Sequence, residues 1–189
     1  MITIKHTGKR MRIRELHLEK LNPWIIADTH FFHKNIVDYT RRPKHHNELI
    51  AYNWGYFVQP DDYIIHLGDF ALGRRKTIRM LTQSLPGKKY LIRGNHDRHS
   101  RSFYERCGWE AVTNTISFQR RGWEVHLTHR PNKELNIDDG IVNIHGHIHN
   151  RSYREPFYIN ASVELNWYAP VRLLTLVDHR IEVMRCIGS

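Results

Sequence analysis

Five times along this chain a short apolar run breaks off in a chemically capable side chain. Trp24-Ile25-Ile26-Ala27 runs into Asp28-Thr29-His30, and Tyr63-Ile64-Ile65-His66-Leu67 into Gly68-Asp69. Tyr90-Leu91-Ile92 leads through Arg93 into Gly94-Asn95-His96-Asp97. Val125-His126-Leu127 ends in Thr128-His129, and Ile141-Val142-Asn143-Ile144-His145 in Gly146-His147-Ile148-His149. Short runs rich in Ile and Val, bounded by Gly or polar residues, read as buried strands. Helical patterns fall between the first three. Asn47 is placed to cap a helix with Ile50, Trp54, Phe57 and Val58 on one face; a second helix carries Ile78, Leu81 and Leu85 and stops at Pro86-Gly87. This alternation predicts an α/β fold with a largely parallel sheet. Residues 115–119 and 123–128 flank Arg120-Arg121-Gly122 and predict a hairpin, and 171–177 with 180–185 predict another. Ligands of such folds sit beyond the carboxyl ends of the strands, where every polar cluster falls, so separate segments are expected to converge on one site.

In extended chain, residues i and i+2 point to the same side. Asp28 and His30 have that spacing, as do His147 and His149. Singly, these signals are weak. A lone histidine is more often a packed or exposed residue than a ligand, Gly68-Asp69 is a common turn, and Gly94-Asn95-His96-Asp97 suits a plain loop. Together they offer carboxylate, amide and imidazole donors without sulfur, in greater number than one tetrahedral ion needs. The set suits Mn²⁺, iron, Zn²⁺, Ni²⁺ or Mg²⁺, and a pair of ions about 3.5–4 Å apart absorbs it. The two cysteines, Cys107 and Cys186, give neither a disulfide framework nor a thiolate zinc site. A reducing, cytoplasmic setting is expected.

A length of 189 residues suits one domain, expected over 21–189, behind a basic extension over 1–20 that carries Lys5, Lys9, Arg10, Arg12, Arg14 and Lys20. Charged terminal runs are usually solvated; the functional alternative is a nucleic-acid-binding arm. The net charge of +10 with His neutral favours anionic partners: a phosphoester substrate, with nucleotides and nucleic acid among the classes it fits. No run is long and apolar enough to predict a membrane span or a secretory leader, and no membrane partner is expected.

The ordered set Asp28-x-His30, Gly68-Asp69, Gly94-Asn95-His96-Asp97, His129 and Gly146-His147-Ile148-His149 resembles the calcineurin-like metallophosphoesterases, most nearly their small, uncapped bacterial and phage-borne members. The resemblance spans about 24–176, with further shared stretches at 28–36, Arg42-Pro43, 66–70 and 160–164. It implies a two-sheet β-sandwich flanked by helices, in four αββα layers. It implies that Asp28, His30 and His149 hold one divalent metal, that Asn95, His129 and His147 hold the other, and that Asp69 bridges them. Manganese is the first expectation, with iron, zinc, nickel or magnesium as alternatives. His96 would be the general acid and Asp97 would fix its ring. The implied reaction is hydrolysis of a phosphodiester or phosphomonoester, with a metal-activated hydroxide attacking phosphorus and His96 protonating the departing oxygen. Asn95 and His96 would meet the substrate, and so would Arg98 unless it is surface charge; for Arg130 and the cations of 39–44 surface charge is the first reading and substrate contact the second. His33 is a candidate to approach the site; His66 and His145, inside strands, are expected to be structural. Two other readings share the fold. One is a scaffold without turnover, against which the intact Asp69 and His96 stand; the other is a nucleic-acid-binding module, for which no finger or aromatic RNP motif is present.

Overall fold

The apolar runs become strands with both faces buried, and helices fill the gaps between them. The computed structural model describes residues 4–6, 9–11 and 18–187. In chain order the first half holds β1 (Ile4–His6), β2 (Lys9–Met11), α1 (Leu18–Leu21), β3 (Trp24–Ile26), α2 (Ile36–Thr40), α3 (His46–Phe57), β4 (Tyr63–His66), α4 (Arg75–Ser84) and β5 (Lys88–Ile92). The second holds α5 (Arg101–Cys107), β6 (Trp109–Thr113), β7 (Thr115–Arg120), β8 (Trp123–Thr128), β9 (Ile141–His145), β10 (Tyr158–Asn160), β11 (Val171–Arg172) and α6 (Leu173–Ile187). The basic side chains of the 1–20 extension that precede Lys20 lie outside the described residues, and with them the reading as a nucleic-acid-binding arm.

One sheet has the order β11-β3-β4-β5-β6, parallel from β3 to β6, with β11 antiparallel at its edge. A second has the order β10-β9-β8-β7, in which β10, β9 and β8 are parallel and β7 closes an antiparallel hairpin with β8, and β1 and β2 pair separately as a small antiparallel ribbon. This is a mixed α/β fold of two sheets flanked by helices. Side chains on the central strands alternate between two cores, as the period of two requires. Ile25, Ile65 and Ile92 face the other sheet and meet Val125, Leu127, Val142 and Ile144. Their neighbours Ile26, Ile64 and Leu91 face Ile50 and Trp54 of α3, Ile78 of α4 and Phe103 of α5. Full burial of each such aliphatic side chain contributes about 1.5–3 kcal/mol.

The sheets are stitched together at two points. A single residue, Asn114, carries the chain from β6 in one sheet to β7 in the other. After β10, the Ala161 N–H donates to His145 O at 2.8 Å in its own sheet, while Ala27, at the end of β3, donates to Ala161 O and accepts from Val163 N–H, both at 3.1 Å. That second stitch lies at the carboxyl ends of the strands, where the predicted ligands are.

Two local expectations are corrected. Residues 171–177 and 180–185 form no hairpin: 173–187 is one helix, α6, which buries Leu173, Leu174, Val177, Ile181 and Met184 in the inter-sheet core. Val177, Ile181 and Met184 follow a helical period, which outweighs the strand preference of the Val and Leu residues. Nor does Asn47 cap α3, which begins at His46; its Oδ1 instead accepts the N–H of Phe32 at 3.0 Å. Phe57 leaves the buried face of α3 and is 40% exposed. Among the described residues, no helix is long and apolar enough to cross a membrane.

Candidate metal centre

At the end of β3 the backbone keeps pairing with the end of β4: Asp28 N–H donates to Gly68 O at 3.0 Å and His30 N–H to Asp69 O at 2.9 Å. The pairing is not extended chain. Asp28 (φ 55°), His30 (φ 46°), Asp69 (φ 59°), His147 (φ 72°) and His149 (φ 53°) all adopt the left-handed conformation. This costs an L residue roughly 1–2 kcal/mol, and Asp, Asn and His are among those that visit it most readily. The same-side placement that extended chain gives residues i and i+2 therefore does not hold throughout. Asp28 and His30 still share a group, but His147 and His149 go to different ones.

Ligand atoms of Asp28, His30 and His149 lie within 4.8 Å of one another, and so do those of Asp69, His129 and His147. Asp69 Oδ2 joins the groups, at 3.4 Å from the Nε2 of both His30 and His129. Its other oxygen accepts the backbone N–H of His96 at 2.8 Å. Asn95 Oδ1 stands 3.0 Å from His129 Nε2. A carbonyl, Leu67 O, lies 2.9 Å from His129 Nδ1, so that nitrogen carries the proton. The Nε2 lone pair is thereby turned toward two oxygens. Asp28 Oδ1 and both ring nitrogens of His30 are buried without a partner. Lone pairs that converge in a buried site with no donor between them are the arrangement a cation completes. With oxygen and nitrogen donors and no sulfur, the residues fit two hard or borderline divalent metals.

Electrostatics point the same way. Burial pushes the Asp28 carboxyl up to about 6, against the pull of His129 and His149. Burial first, then the neighbouring His129 and Arg130, depress His147 to about 4. Burial and the Arg42 charge likewise hold His30 below the ordinary range. Neutral imidazole is the ligating form.

Three supporting residues had no part in the metal site as the sequence predicts it. Ser162 Oγ donates to Asp28 Oδ2 at 2.7 Å, and that oxygen also accepts His147 N–H at 2.8 Å. Glu164 Oε1 lies 3.0 Å from His149 Nδ1, which leaves Nε2 for the site. Burial alone would depress His149; the hydrogen bond to Glu164 and the charges of Asp28 and Glu164 outweigh it and raise its pKa. Arg42 is buried. Its guanidinium donates to Glu164 Oε1 (2.7 and 3.0 Å), Asp28 O (2.6 Å) and Thr29 O (2.8 Å). Its charge serves the strand end rather than the surface expected for the cations of 39–44. The usable signals were the Arg42-Pro43 step and the 160–164 stretch, noted as shared but unexplained.

The His96 ring stands edge-on to His30 (centroids 5.2 Å apart) and His33 (5.9 Å), with Nδ1 buried and unpaired. Asp97 does not orient it. Its carboxylate accepts the backbone N–H groups of Asp69 (2.8 Å), Gly94 (2.8 Å) and Phe70 (3.1 Å), so Asp97 shapes the Asp69 turn instead. Arg98 is exposed, with its backbone N–H donated to His96 O. His33 does approach the site. His66 is fully buried between two strand ends: Gly68 N–H donates to Nδ1 at 3.0 Å, so Nε2–H donates to Thr29 Oγ1 at 2.9 Å. Two glycines let the carboxylates in: a Cβ on Gly94 would overlap that of Asp69, and a Cβ on Gly146 that of Asp28.

Two clefts lined by described residues lie beside the site. One, of about 500 Å³, includes Phe32, His33, Lys34, Val37, Lys44 and His46 in its walls. The other, of about 420 Å³, includes Arg93, Asn95, Thr115, Thr128, His129 and Arg130. Arg98 lines neither.

Comparison with known proteins gives concordant matches. The family described as the calcineurin-like phosphoesterase superfamily domain matches residues 22–161. An uncharacterized protein of Methanocaldococcus jannaschii is 35% identical over 183 residues, covering 88% of this chain and 96% of that protein. The Gene 66 protein of Mycobacterium phage L5 is 34% identical over 82 residues, 40% of each chain. Among solved structures, a protein of unknown function from Aquifex aeolicus is similar with a TM-score of 0.64 and 26% identity, over 82% of this chain and 97% of that one.

Proposed function

The chain belongs to the calcineurin-like phosphoesterase superfamily, and from that premise we propose that it hydrolyses phosphodiester bonds with the help of two divalent cations, manganese foremost. One observation carries the reading: a single carboxylate oxygen, Asp69 Oδ2, lies 3.4 Å from the Nε2 of His30 in one ligand group and of His129 in the other. Asp28, His30 and His149 would hold one cation, Asn95, His129 and His147 the other, with Asp69 shared. Bound there, the cations would supply Lewis acidity toward the phosphoryl oxygens and lower the pKa of water.

The chain's own groups supply orientation and the proton. Ser162 and the His147 N–H fix one oxygen of Asp28, which aims the other into the site. Glu164, clamped by Arg42, fixes the His149 ring. Asn95 borders the second cleft beside His129 and would touch a phosphoryl oxygen. His96 would give its proton to the departing oxygen, a contribution of about 10²–10⁴-fold. Two clefts beside the site, one walled by His33 and one by His129, favour a diester, which carries two substituents on phosphorus, over a monoester.

The test is hydrolysis of bis-p-nitrophenyl phosphate beside p-nitrophenyl phosphate by chelator-stripped protein given back Mn²⁺, Ni²⁺, Zn²⁺ or Mg²⁺ singly. We expect metal-restored turnover with the diester preferred, and its loss in Asp69→Asn. Nitrophenolate departs without needing a proton, so His96→Ala should lose far more, about 10²–10⁴-fold, on a diester with an alkoxide leaving group. Unchanged turnover in both variants would sink the reading, and bound metal without turnover on any ester would turn it toward a scaffold.

A further inference from the structure

The cleft beside His33 differs in character from its counterpart. Phe32 sits on its wall with 39% of its surface exposed and a left-handed φ of 65°, a conformation that a bulky aromatic residue rarely adopts. The strain is held in place: the Phe32 N–H is bound by Asn47 Oδ1 at 3.0 Å. His46 also lines the cleft; it is only 3% exposed, and neither ring nitrogen has a hydrogen-bond partner. Val37 adds an aliphatic wall, and the exposed Lys34 and Lys44 outweigh Asp38 by one positive charge. The cleft beside Asn95 has no aromatic residue other than His129; it offers the guanidinium groups of Arg93 and Arg130 with Thr115, Thr128 and Asn114. Both volumes fall within the range of about 300–1,000 Å³ usual for small-ligand sites.

We propose that the Phe32 cleft seats the leaving half of the substrate, that this half is an unpaired nucleotide, and that the substrate is single-stranded nucleic acid laid across both clefts. The proposal rests on the phosphodiesterase reading above, and three features carry it. Position assigns the leaving half: His33, on the cleft wall, lies with its ring 5.9 Å from that of His96, the proton donor of that reading. Content assigns the nucleotide. A flat apolar face, an imidazole edge that can give and take a hydrogen bond, and two flanking ammonium groups match a base, its polar edge and the next phosphate. Contrast assigns the strand. The second cleft presents donors for phosphate and sugar, as the other half of a polynucleotide requires. A base can lie against Phe32 only when unstacked from its neighbours, which selects single strands over duplex.

The experiment uses the full chain, a short oligothymidylate, and the same oligomer with tetrahydrofuran spacers in place of its bases. Wild type should cleave the oligothymidylate with Mn²⁺. Phe32→Ala should lower its kcat/KM about tenfold or more, mainly through KM, and weaken binding of the labelled oligomer to metal-free protein by a similar factor, as loss of one stacked base predicts. Phe32→Tyr should restore both. On the base-free oligomer, Phe32→Ala should change kcat/KM by less than about twofold, whereas Lys34→Glu with Lys44→Glu should weaken cleavage of both oligomers and flatten the dependence on salt. Equal losses on both oligomers, or no loss with oligothymidylate, overturn the proposal while wild-type turnover of bis-p-nitrophenyl phosphate keeps the phosphodiesterase reading standing. Absence of that turnover defeats the phosphodiesterase reading and the leaving-half assignment together, and the binding arm then decides separately whether the cleft takes a base.

Discussion

Glu164 and Arg42 decide the orientation of ligands that they never replace. The pair is buried and also holds the carbonyls of Asp28 and Thr29, so removing one member strands the other. Arg42→Met should lower stability by about 3–5 kcal/mol, measured by urea denaturation. Glu164→Gln keeps the shape but loses the charge that fixes the His149 tautomer. It should weaken Mn²⁺ binding about 10–100-fold in calorimetric titration of the stripped protein; affinity equal to wild type would show that His149 needs no such support. The proposed ligands themselves were legible in the sequence because each is flagged by an apolar run that ends beside it. Arg42 and Glu164 were not, because their contact spans 122 residues and leaves no local pattern. Asp97 was misassigned for the opposite reason: adjacency to His96 suggested a contact that the turn does not make, since its carboxylate is occupied by three backbone N–H groups.

At the scale of elements, loops at strand ends hold the site and strands merely deliver them. The turn after β5 is pressed so closely onto the turn after β4 that a methyl group on Gly94 has nowhere to go but into Asp69. Gly94→Ala should therefore weaken metal binding at least about tenfold with the far-ultraviolet circular dichroism unchanged; unaltered affinity would mean that the turn yields. The β7–β8 hairpin was readable because Arg121 and Gly122, both at positive φ, form the two-residue loop that Gly favours and that matches the twist of the strands. The helix α6 was misread because Asp178-His179 resembles a turn between two short apolar runs. In the structure Asp178 instead pairs with Arg120 of β7 at 2.5 Å, so the residue that suggested a break fastens the helix to the hairpin.

At the scale of the molecule, the alternating pattern sufficed for a layered α/β fold, whereas the crossing from one sheet to the other at Asn114 had no signature, since a single residue between two strands reads like any short loop. The buried histidines make the whole fold sensitive to acid. Burial, with the neighbouring His129 adding to it, depresses His66 from 6.5 to about 3. A histidine that folds neutral contributes stability in full above its unfolded pKa, and the contribution is lost as pH falls from 6.5 toward 3. Between pH 6.5 and 5 the loss from His66 alone amounts to about 2 kcal/mol. Thermal melts of chelated protein should fall over that range, and His66→Gln should melt with a shallower pH dependence; parallel curves would show that His66 does not contribute.

The centre draws its donors from both sheets: Asp28, His30, Asp69 and Asn95 follow strands of one, His129, His147 and His149 strands of the other. The layer of aliphatic side chains between them, Ile25, Ile65 and Ile92 against Val125, Leu127 and Ile144, is therefore a spacer gauge as well as a core. Its thickness sets how far apart the two halves of the donor set stand. Residues that never see solvent or substrate would thereby acquire a grip on reactivity, and a swap of one branched aliphatic for another deep in the sandwich would become a fine adjustment of the gap that the proposed pair of ions has to span.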